Sequence, residues 1–239
     1  MKLIILDFDG TLADTRGLIV KTMQQTLDAL GLESRTDEQC AAMIGLPLKQ
    51  AFTDLLPMED EMGDRCAETY RSLFNENNAV YTVPAFPNVL ETLHQLHEQG
   101  YILTIASSRS HRSLMEFVED MHLDEVIPYV LGADDVRQAK PHPEPVLKTL
   151  ETFGYKPEDA WVVGDTWYDI EMGRRAGVRT CGVTYGNGSR EELTRAGADV
   201  LVDDFGELLD KIERVCQNDA PFFIYHKAPT FTSWGFDIS

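Results

Sequence analysis

The chain has 239 residues, of which 43% are hydrophobic, and its 40 acidic side chains outnumber its 21 lysines and arginines, for a formal net charge of −19. This length and apolar fraction suit one large domain or a domain with a sizeable insertion, and they exclude a largely disordered chain. The acidic balance argues against a nucleic-acid partner or an anionic membrane, because both bind proteins through basic surface.

The first predicted element is a short apolar strand that ends in two acids. Residues 3–6 read LIIL, and Asp7 and Asp9 follow with one Phe between them. This run is too short for a signal peptide, and no stretch approaches the roughly 20 apolar residues of a membrane span. Two carboxylates so close together repel each other unless a cation lies between them. The strand end therefore suggests a metal site.

The next segment, from about residue 18 to residue 80, has a helical pattern. Apolar residues recur at spacings of three and four, as in Val20, Met23 and Leu27, and glycines and prolines divide the segment. We predict an all-helical insertion, or cap, of three or four short helices over residues 14–84. The linkers 13–17 and 83–87 are then predicted to act as paired hinges.

From residue 83 onward, apolar strands alternate with amphipathic helices. Strands are predicted at residues 101–106, 127–131, 160–164, 179–183 and 198–202, with helices near 88–99, 112–121 and 144–153, one through 173–176 and one reaching about 216. This alternation predicts a parallel sheet covered by helices on both faces. The predicted α/β core comprises residues 1–13 and 85–216. An aromatic tail, residues 217–239, follows it, and we expect this tail to pack on its own domain or across a dimer.

The four cysteines are Cys40, Cys66, Cys181 and Cys216. They are far apart and show neither metal-ligand nor CxxC spacing, so we interpret them as reduced thiols of a cytoplasmic protein.

Polar residues follow four of the predicted strands, and the carboxyl ends of parallel strands meet at one edge of a sheet. The residues are Asp7, Asp9, Ser107, Ser108, Lys140, Asp165 and Asp169. Carboxylates supply the hard oxygen ligands that Mg²⁺ prefers, and a metal-bound Asp can act as a nucleophile toward phosphorus. Hydroxyl groups and a lysine can hold phosphate oxygens. The set therefore predicts phosphoryl transfer.

Four motifs carry a family resemblance. DFDGT at 7–11, ASS ending at 108, KPHP at 140–143 and GDTWYD at 164–169 resemble, in order and spacing, the motifs of the haloacid-dehalogenase-like hydrolases, over residues 1 to about 216. The resemblance implies a Rossmann-like α/β core. The helical insertion and the GLPL run at 45–48 resemble the phosphoglycolate-phosphatase-like branch and its pyrophosphatase relatives. One departure is FPNV at 86–89, where that branch usually has Pro-Gly-Val.

The resemblance also implies roles for individual residues. Asp7 is the expected nucleophile, and Asp9 is the expected general acid and base. Mg²⁺ is the expected cofactor, with Asp7, Asp9, Asp165 and Asp169 as its ligands; Asp169 could instead support Lys140 or be a first-turn helix acid. The expected phosphate-binding residues are Thr11, Ser107, Ser108 and Lys140.

The sequence thus predicts a Mg²⁺-dependent phosphatase acting on a small phosphorylated metabolite, with phosphoglycolate as the first candidate. We expect it to be a monomer or homodimer. Two alternatives stay open: a phosphosugar mutase of the β-phosphoglucomutase kind, and a non-enzymatic phosphoacceptor or binding module. Arg109, beside the predicted phosphate site, either touches substrate or lies on the surface.

Overall fold

The computed structural model describes residues 3–218, so most of the predicted aromatic tail lies outside the described residues. Six strands form one parallel sheet in the order β3-β2-β1-β4-β5-β6. The strands are β1 (Leu3–Leu6), β2 (Ile102–Ala106), β3 (Tyr129–Leu131), β4 (Ala160–Gly164), β5 (Arg179–Val183) and β6 (Val200–Val202). The predicted parallel α/β fold is therefore confirmed.

The position of β1 in the sheet creates the crevice where polar residues gather. The chain passes from β1 to β2 and β3 on one side, then returns to place β4 on the other side of β1. Leu6 pairs in register with Ile105 of β2 and with Val163 of β4. Because the register is level, Asp7 and Asp165 leave neighbouring strands at the same edge, where ligands bind in open parallel sheets. All four residues of β1 are buried, as expected for a central parallel strand.

Five helices connect the strands of the sheet, and a sixth follows β6. They are α5 (Val89–Glu98), α6 (His111–Asp120), α7 (Glu144–Phe153), α8 (Trp167–Ala176), α9 (Arg190–Ala196) and α10 (Leu208–Asn218). Helix α9 was absent from the sequence prediction, although a capping box marks its start: Ser189 and Glu192 each bond to the other's backbone N–H. None of the helices within residues 3–218 has the length and apolar character needed to cross a membrane.

Four more helices lie between β1 and α5 and form the cap. They are α1 (Arg16–Ala29), α2 (Asp37–Ala41), α3 (Leu48–Leu55) and α4 (Asp60–Asn78). Helix α4 packs against both α1 and α3, and buried side chains such as Leu27, Phe52 and Tyr70 line these contacts. The expectation of short helices was wrong for α1 and α4, which have 14 and 19 residues. The domain bounds at 13/14 and 84/85 stay predictions.

The two chain segments that join cap and core run side by side. The Asp14 N–H donates to the Pro84 carbonyl at 2.9 Å, and the Phe86 N–H donates to the Leu12 carbonyl at 3.0 Å. These bonds form a minimal antiparallel ribbon at the place where the sequence predicted paired hinges. The ribbon therefore sets where the cap is attached relative to the end of β1.

Asn88 explains the departure from Pro-Gly-Val. Its φ of +62° is left-handed, a conformation that glycine adopts without strain and that asparagine tolerates better than most residues. Its side-chain N–H donates to both carboxylate oxygens of Asp204, at 2.9 and 2.8 Å. Asparagine therefore keeps the backbone turn before α5 and adds a bond to the segment after β6.

Candidate active site

Asp7 and Lys140 form the centre of the site. Asp7 follows β1 directly and is buried, and its Oδ1 lies 2.7 Å from Nζ of Lys140. Lys140 lies in the loop between β3 and α7, and its Nζ is also 2.5 Å from Oδ1 of Asp169. The lysine is itself buried. One ammonium group therefore bridges a carboxylate at the end of β1 and a carboxylate in the first turn of α8, the helix that follows β4.

Asp169 is held by the start of α8. Its Oδ2 accepts hydrogen bonds from the backbone N–H and hydroxyl of Thr166, at 3.1 and 2.7 Å, which closes a capping box. Gly164 permits this approach, because a Cβ there would lie 2.3 Å from Cβ of Asp169. Asp169 is thus both a first-turn helix acid and a partner of Lys140, so the two roles left open by the sequence coexist.

Asp165 is fully buried and is held by a loop that the sequence reasoning did not include in the site. Its Oδ2 accepts from the backbone and side-chain N–H groups of Asn187, at 2.6 and 3.0 Å, and its Oδ1 accepts from the Thr11 hydroxyl at 3.3 Å. Gly10, at φ +86°, lies so close that a Cβ would be 2.1 Å from Oδ2 of Asp165. Thr11 is fully buried and donates its hydroxyl to Asp165, and its predicted role in phosphate binding stays a prediction.

Asn187 was therefore missed, and a sequence signal for it existed. The run YGNGS at 185–189 is a glycine-rich turn directly after β5, at the same edge of the sheet as the other site residues. Tyr185 in that run donates its hydroxyl to the Thr11 carbonyl at 2.8 Å. The strand-end argument, extended by one strand, would have included this turn.

The three aspartates form a compact oxygen cluster. Asp7, Asp165 and Asp169 can each offer one oxygen such that all three oxygens lie within 4.8 Å of one another. When ionised, the three buried carboxylates exceed the charge of Lys140 by two. That donor set and that uncompensated charge fit a divalent cation such as Mg²⁺.

The pKa values of the cluster reflect the same crowding. Burial, and then the neighbouring Asp169, raise the pKa of Asp165 to about 7. Burial also raises the pKa of Asp7 well above its ordinary value, while the charge of Lys140 opposes the rise. For Lys140, burial lowers the pKa, but Asp169 and Asp7 outweigh it and the net shift is upward. Lys140 therefore stays protonated, and the two carboxylates lack enough positive charge around them.

Asp9 is not part of this oxygen cluster, and its predicted role as a metal ligand stays a prediction. Its Oδ1 accepts from the Thr15 hydroxyl at 2.7 Å and from Nη2 of Arg109 at 2.5 Å, and its Oδ2 accepts from Nε of Arg109 at 3.1 Å. Asp9 lies beyond the end of β1 at Leu6, so the alternation of a strand does not fix the direction of its side chain, and Arg109 offers it a strong cationic partner. Arg109 is accordingly buried, with 8% of its side chain exposed, and is not a surface residue.

The two predicted phosphate-binding serines lie at the end of β2. Ser107 is buried, and its hydroxyl oxygen is 3.4 Å from the Arg109 backbone nitrogen, which donates to it. Ser108 donates its hydroxyl to the carbonyl of Gly45 in the cap, at 2.7 Å. Ser108 therefore joins core to cap here, while Ser107 remains beside Asp7 along the same cavity.

A cavity of about 660 Å³ lies between the core and the cap. Asp7, Asp9, Ser107 and Arg109 form part of its core side. Its cap side carries apolar side chains, with Ile44, Leu46, Tyr70 and Phe74 among them. The volume falls in the range of small-molecule sites. Asp7 thus faces a partly open cavity of the size of a small ligand.

Comparison with known proteins agrees with the fold and with the family resemblance. The sequence profile of the haloacid dehalogenase-like hydrolases matches residues 4–183, which include all four motifs. The chain belongs to the haloacid dehalogenase-like hydrolase family. It is 35% identical over 206 residues to the pyrophosphatase PpaX of Anoxybacillus flavithermus, an alignment that covers 86% of this chain and 94% of that one.

Two further comparisons concern the branch of the family to which this hydrolase is similar. It is 34% identical over 186 residues to a phosphoglycolate phosphatase of Aquifex aeolicus, covering 78% of this chain and 86% of that one. Among solved structures, a predicted phosphoglycolate phosphatase from Haemophilus somnus has a TM-score of 0.80 at 25% identity, covering 89% of this chain and 98% of that chain. The resemblance to the phosphoglycolate-phosphatase-like branch is therefore confirmed.

Proposed function

We propose that this hydrolase is a Mg²⁺-dependent phosphatase that cleaves a small phosphate monoester through an aspartyl-phosphate on Asp7. The observation that carries the proposal is the buried Asp7, bonded to Lys140 and facing the cavity between cap and core. A carboxylate placed so has a cationic neighbour for an incoming phosphate and little water to compete with it.

The reaction follows from the placement of the side chains. An oxygen of Asp7 forms a bond to phosphorus while the ester P–O bond breaks, and Asp9 gives a proton to the leaving oxygen. Asp9 then takes a proton from water as that water attacks phosphorus, which releases phosphate and restores Asp7. In this proposal Lys140 and Ser107 hold the phosphate oxygens, because Lys140 contacts Asp7 and Ser107 lines the same cavity as Asp7.

Asp7, Asp165 and Asp169 are the residues that would hold Mg²⁺. Bound there, the ion supplies positive charge for the phosphate oxygens and lets the carboxylates stay ionised together. Asn187 and Thr11 orient Asp165, and Thr166 orients Asp169, so the oxygen ligands are fixed by their own hydrogen bonds.

The size of the cavity supports a compact substrate, and phosphoglycolate is our first candidate. A site of about 660 Å³ under a cap suits a small ester better than a phosphoprotein or a nucleic acid. The net charge of −19 also disfavours polyanionic partners. Inorganic pyrophosphate belongs in the same substrate panel, because a relative carries the name pyrophosphatase. We further propose a cytoplasmic monomer or homodimer that needs neither a nucleic acid nor a membrane.

The deciding experiment replaces the nucleophile. Asp7→Asn should abolish hydrolysis of p-nitrophenyl phosphate and of phosphoglycolate while the protein stays folded, because the amide is nearly isosteric but cannot attack phosphorus. Asp14→Asn is the matched control, since Asp14 is an exposed acid of the same loop and should be dispensable. Thermal melts report the fold. Activity of Asp7→Asn within tenfold of wild type, or turnover that requires a sugar bisphosphate activator, would contradict the proposal.

A further inference from the structure

Arg109 makes three kinds of contact that no other described residue combines. Its Nε and Nη2 donate hydrogen bonds to both carboxylate oxygens of Asp9. Its Nη1 donates to the Ser113 hydroxyl at 3.2 Å. Its guanidinium carbon lies 4.6 Å from the ring centre of Phe74 and 5.0 Å from the ring centre of Phe117. Ser113 and Phe117 belong to α6 of the core, whereas Phe74 belongs to α4 of the cap. Arg109 therefore touches the core, the cap and the expected acid and base.

The orientation of the Asp9 carboxylate depends on this pair. Of its neighbours, Thr15 donates one hydrogen bond to Oδ1, while Arg109 binds both oxygens in a fork. A two-point contact fixes the plane of a carboxylate, which a single hydroxyl donor cannot do. Both residues line the wall of the cavity between the core and the cap.

The cap contributes to the same arrangement. Phe74 lies against the guanidinium, and the neighbouring Ser108 hydroxyl donates to Gly45 of the cap at 2.7 Å. The loop 107–109 thus meets the cap at two points and meets Asp9 through one side chain. A cation held against an aromatic face within about 6 Å gains stabilisation that is largest when water is excluded.

We propose that Arg109 is a positioning residue that orients Asp9 for proton transfer to the leaving group, and that the cap contact with Phe74 helps to hold it in that position. The inference rests on the proposed phosphatase function and deepens it. Proton transfer matters most when the leaving oxygen is a poor leaving group, so the role of Arg109 should depend on the ester and not only on the enzyme.

The test measures kcat/KM for two esters. p-Nitrophenolate leaves without a proton, whereas the alkoxide of ethyl phosphate needs one. Arg109→Gln should lower kcat/KM for ethyl phosphate by about 10²–10⁴-fold, the usual contribution of a positioned acid, and for p-nitrophenyl phosphate by less than about tenfold. Arg109→Lys keeps the charge but not the fork, so its loss on ethyl phosphate should be intermediate. Phe74→Leu should show the same selective pattern with a smaller loss.

Two controls separate positioning from structure. Arg112→Gln removes an arginine that also lines the cavity but forms its ion pair with Glu116 rather than with Asp9. This variant should lower kcat/KM weakly and to the same extent for both esters. In an Asp9→Asn background, Arg109→Gln should cause no further loss on ethyl phosphate, because the group it positions is already gone.

The outcomes distinguish the inference from the function on which it rests. Equal losses on both esters in Arg109→Gln, an Arg112→Gln variant with the same selective loss, or additive effects of the Asp9 and Arg109 changes would overturn the positioning role. A wild-type enzyme that hydrolyses neither ester, or whose turnover survives Asp7→Asn, would instead refute the phosphatase function itself.

Discussion

Asp165→Asn should stabilise the metal-free protein, and the gain should grow with pH. Burial and the neighbouring Asp169 raise the pKa of Asp165 to about 7, from an ordinary value of 3.8. Between these two pH values the folded protein holds a proton that the unfolded chain has released. The free energy of unfolding therefore falls as pH rises from about 4 to about 7, which is the sign expected when the folded state binds more protons.

The magnitude follows from the difference between the two pKa values. A rise of about three pKa units corresponds to on the order of 4 kcal/mol once the pH exceeds 7, and about 3 kcal/mol of this accrues between pH 5 and pH 8. Asparagine does not titrate, so the variant does not lose this free energy of unfolding as the pH rises. Its oxygen can still accept from Asn187, and its amide can donate to the hydroxyl of Thr11.

The assay is thermal or urea unfolding of both proteins in EDTA, at several values from about pH 5 to about pH 8. The melting temperature of the variant relative to wild type should rise by roughly 5–10 °C across that range. Asp203→Asn is the matched control. The hydroxyl of Thr184 and the guanidinium of Arg190 lower the pKa of this exposed acid, so its difference from wild type should stay flat above pH 5.

Saturating Mg²⁺ should reverse the ranking, because the ion binds the ionised carboxylates and stabilises the folded wild type. A stability difference between Asp165→Asn and wild type that does not change with pH would refute the reasoning, as would equal Mg²⁺ stabilisation of the two proteins. Either result would mean that the buried cluster is not short of positive charge.

Three further predictions test the metal, the turn before α5 and the packing of the sheet. Turnover should be lost in EDTA, return with Mg²⁺ and be inhibited by excess Ca²⁺, whose longer bonds misplace the Asp7 oxygen; full activity after exhaustive chelation would contradict the metal site. Asn88→Ala should lower the free energy of unfolding, measured in urea, by about 1–2 kcal/mol. Asn88→Gly should lower it by less, because glycine keeps the positive φ and loses only the hydrogen bonds to Asp204. The reverse order would show that the positive φ is not the cause of the destabilisation. Gly173→Ala should destabilise by about 1–3 kcal/mol, since the new Cβ would lie 2.7 Å from Cγ2 of Thr180 and 3.0 Å from Cβ of Val162; an unchanged midpoint would show that α8 can move away from β4 and β5.

Part of the site was predictable because it depends on local pattern and on one topological rule. Strand and helix periodicity places Asp7, Lys140 and Asp165 beyond strand ends, and parallel strands bring such ends to one edge. The structure brings these residues together: Lys140 contacts Asp7 and Asp169. Asp165 joins the same two aspartates in the oxygen cluster. The shorter elements were less predictable. Helix α9 was missed because its seven residues are too few for a clear period, and β3 and β6, with three residues each, were predicted but each two residues too long.

The sequence by itself determined the class of fold, the family and the edge of the sheet where the acids collect, because each of these depends on patterns among residues that are neighbours in the chain. Only the tertiary structure decided what each side chain binds. Asp9 and Arg109 are 100 positions apart, and Asp165 and Asn187 are 22 apart. Whether such pairs form depends on the direction of each side chain and on the cap closing over the loop. Two aspartates separated by one residue therefore bind different partners: Asp7 contacts Lys140 beside the oxygen cluster, and Asp9 contacts Arg109 beneath the cap.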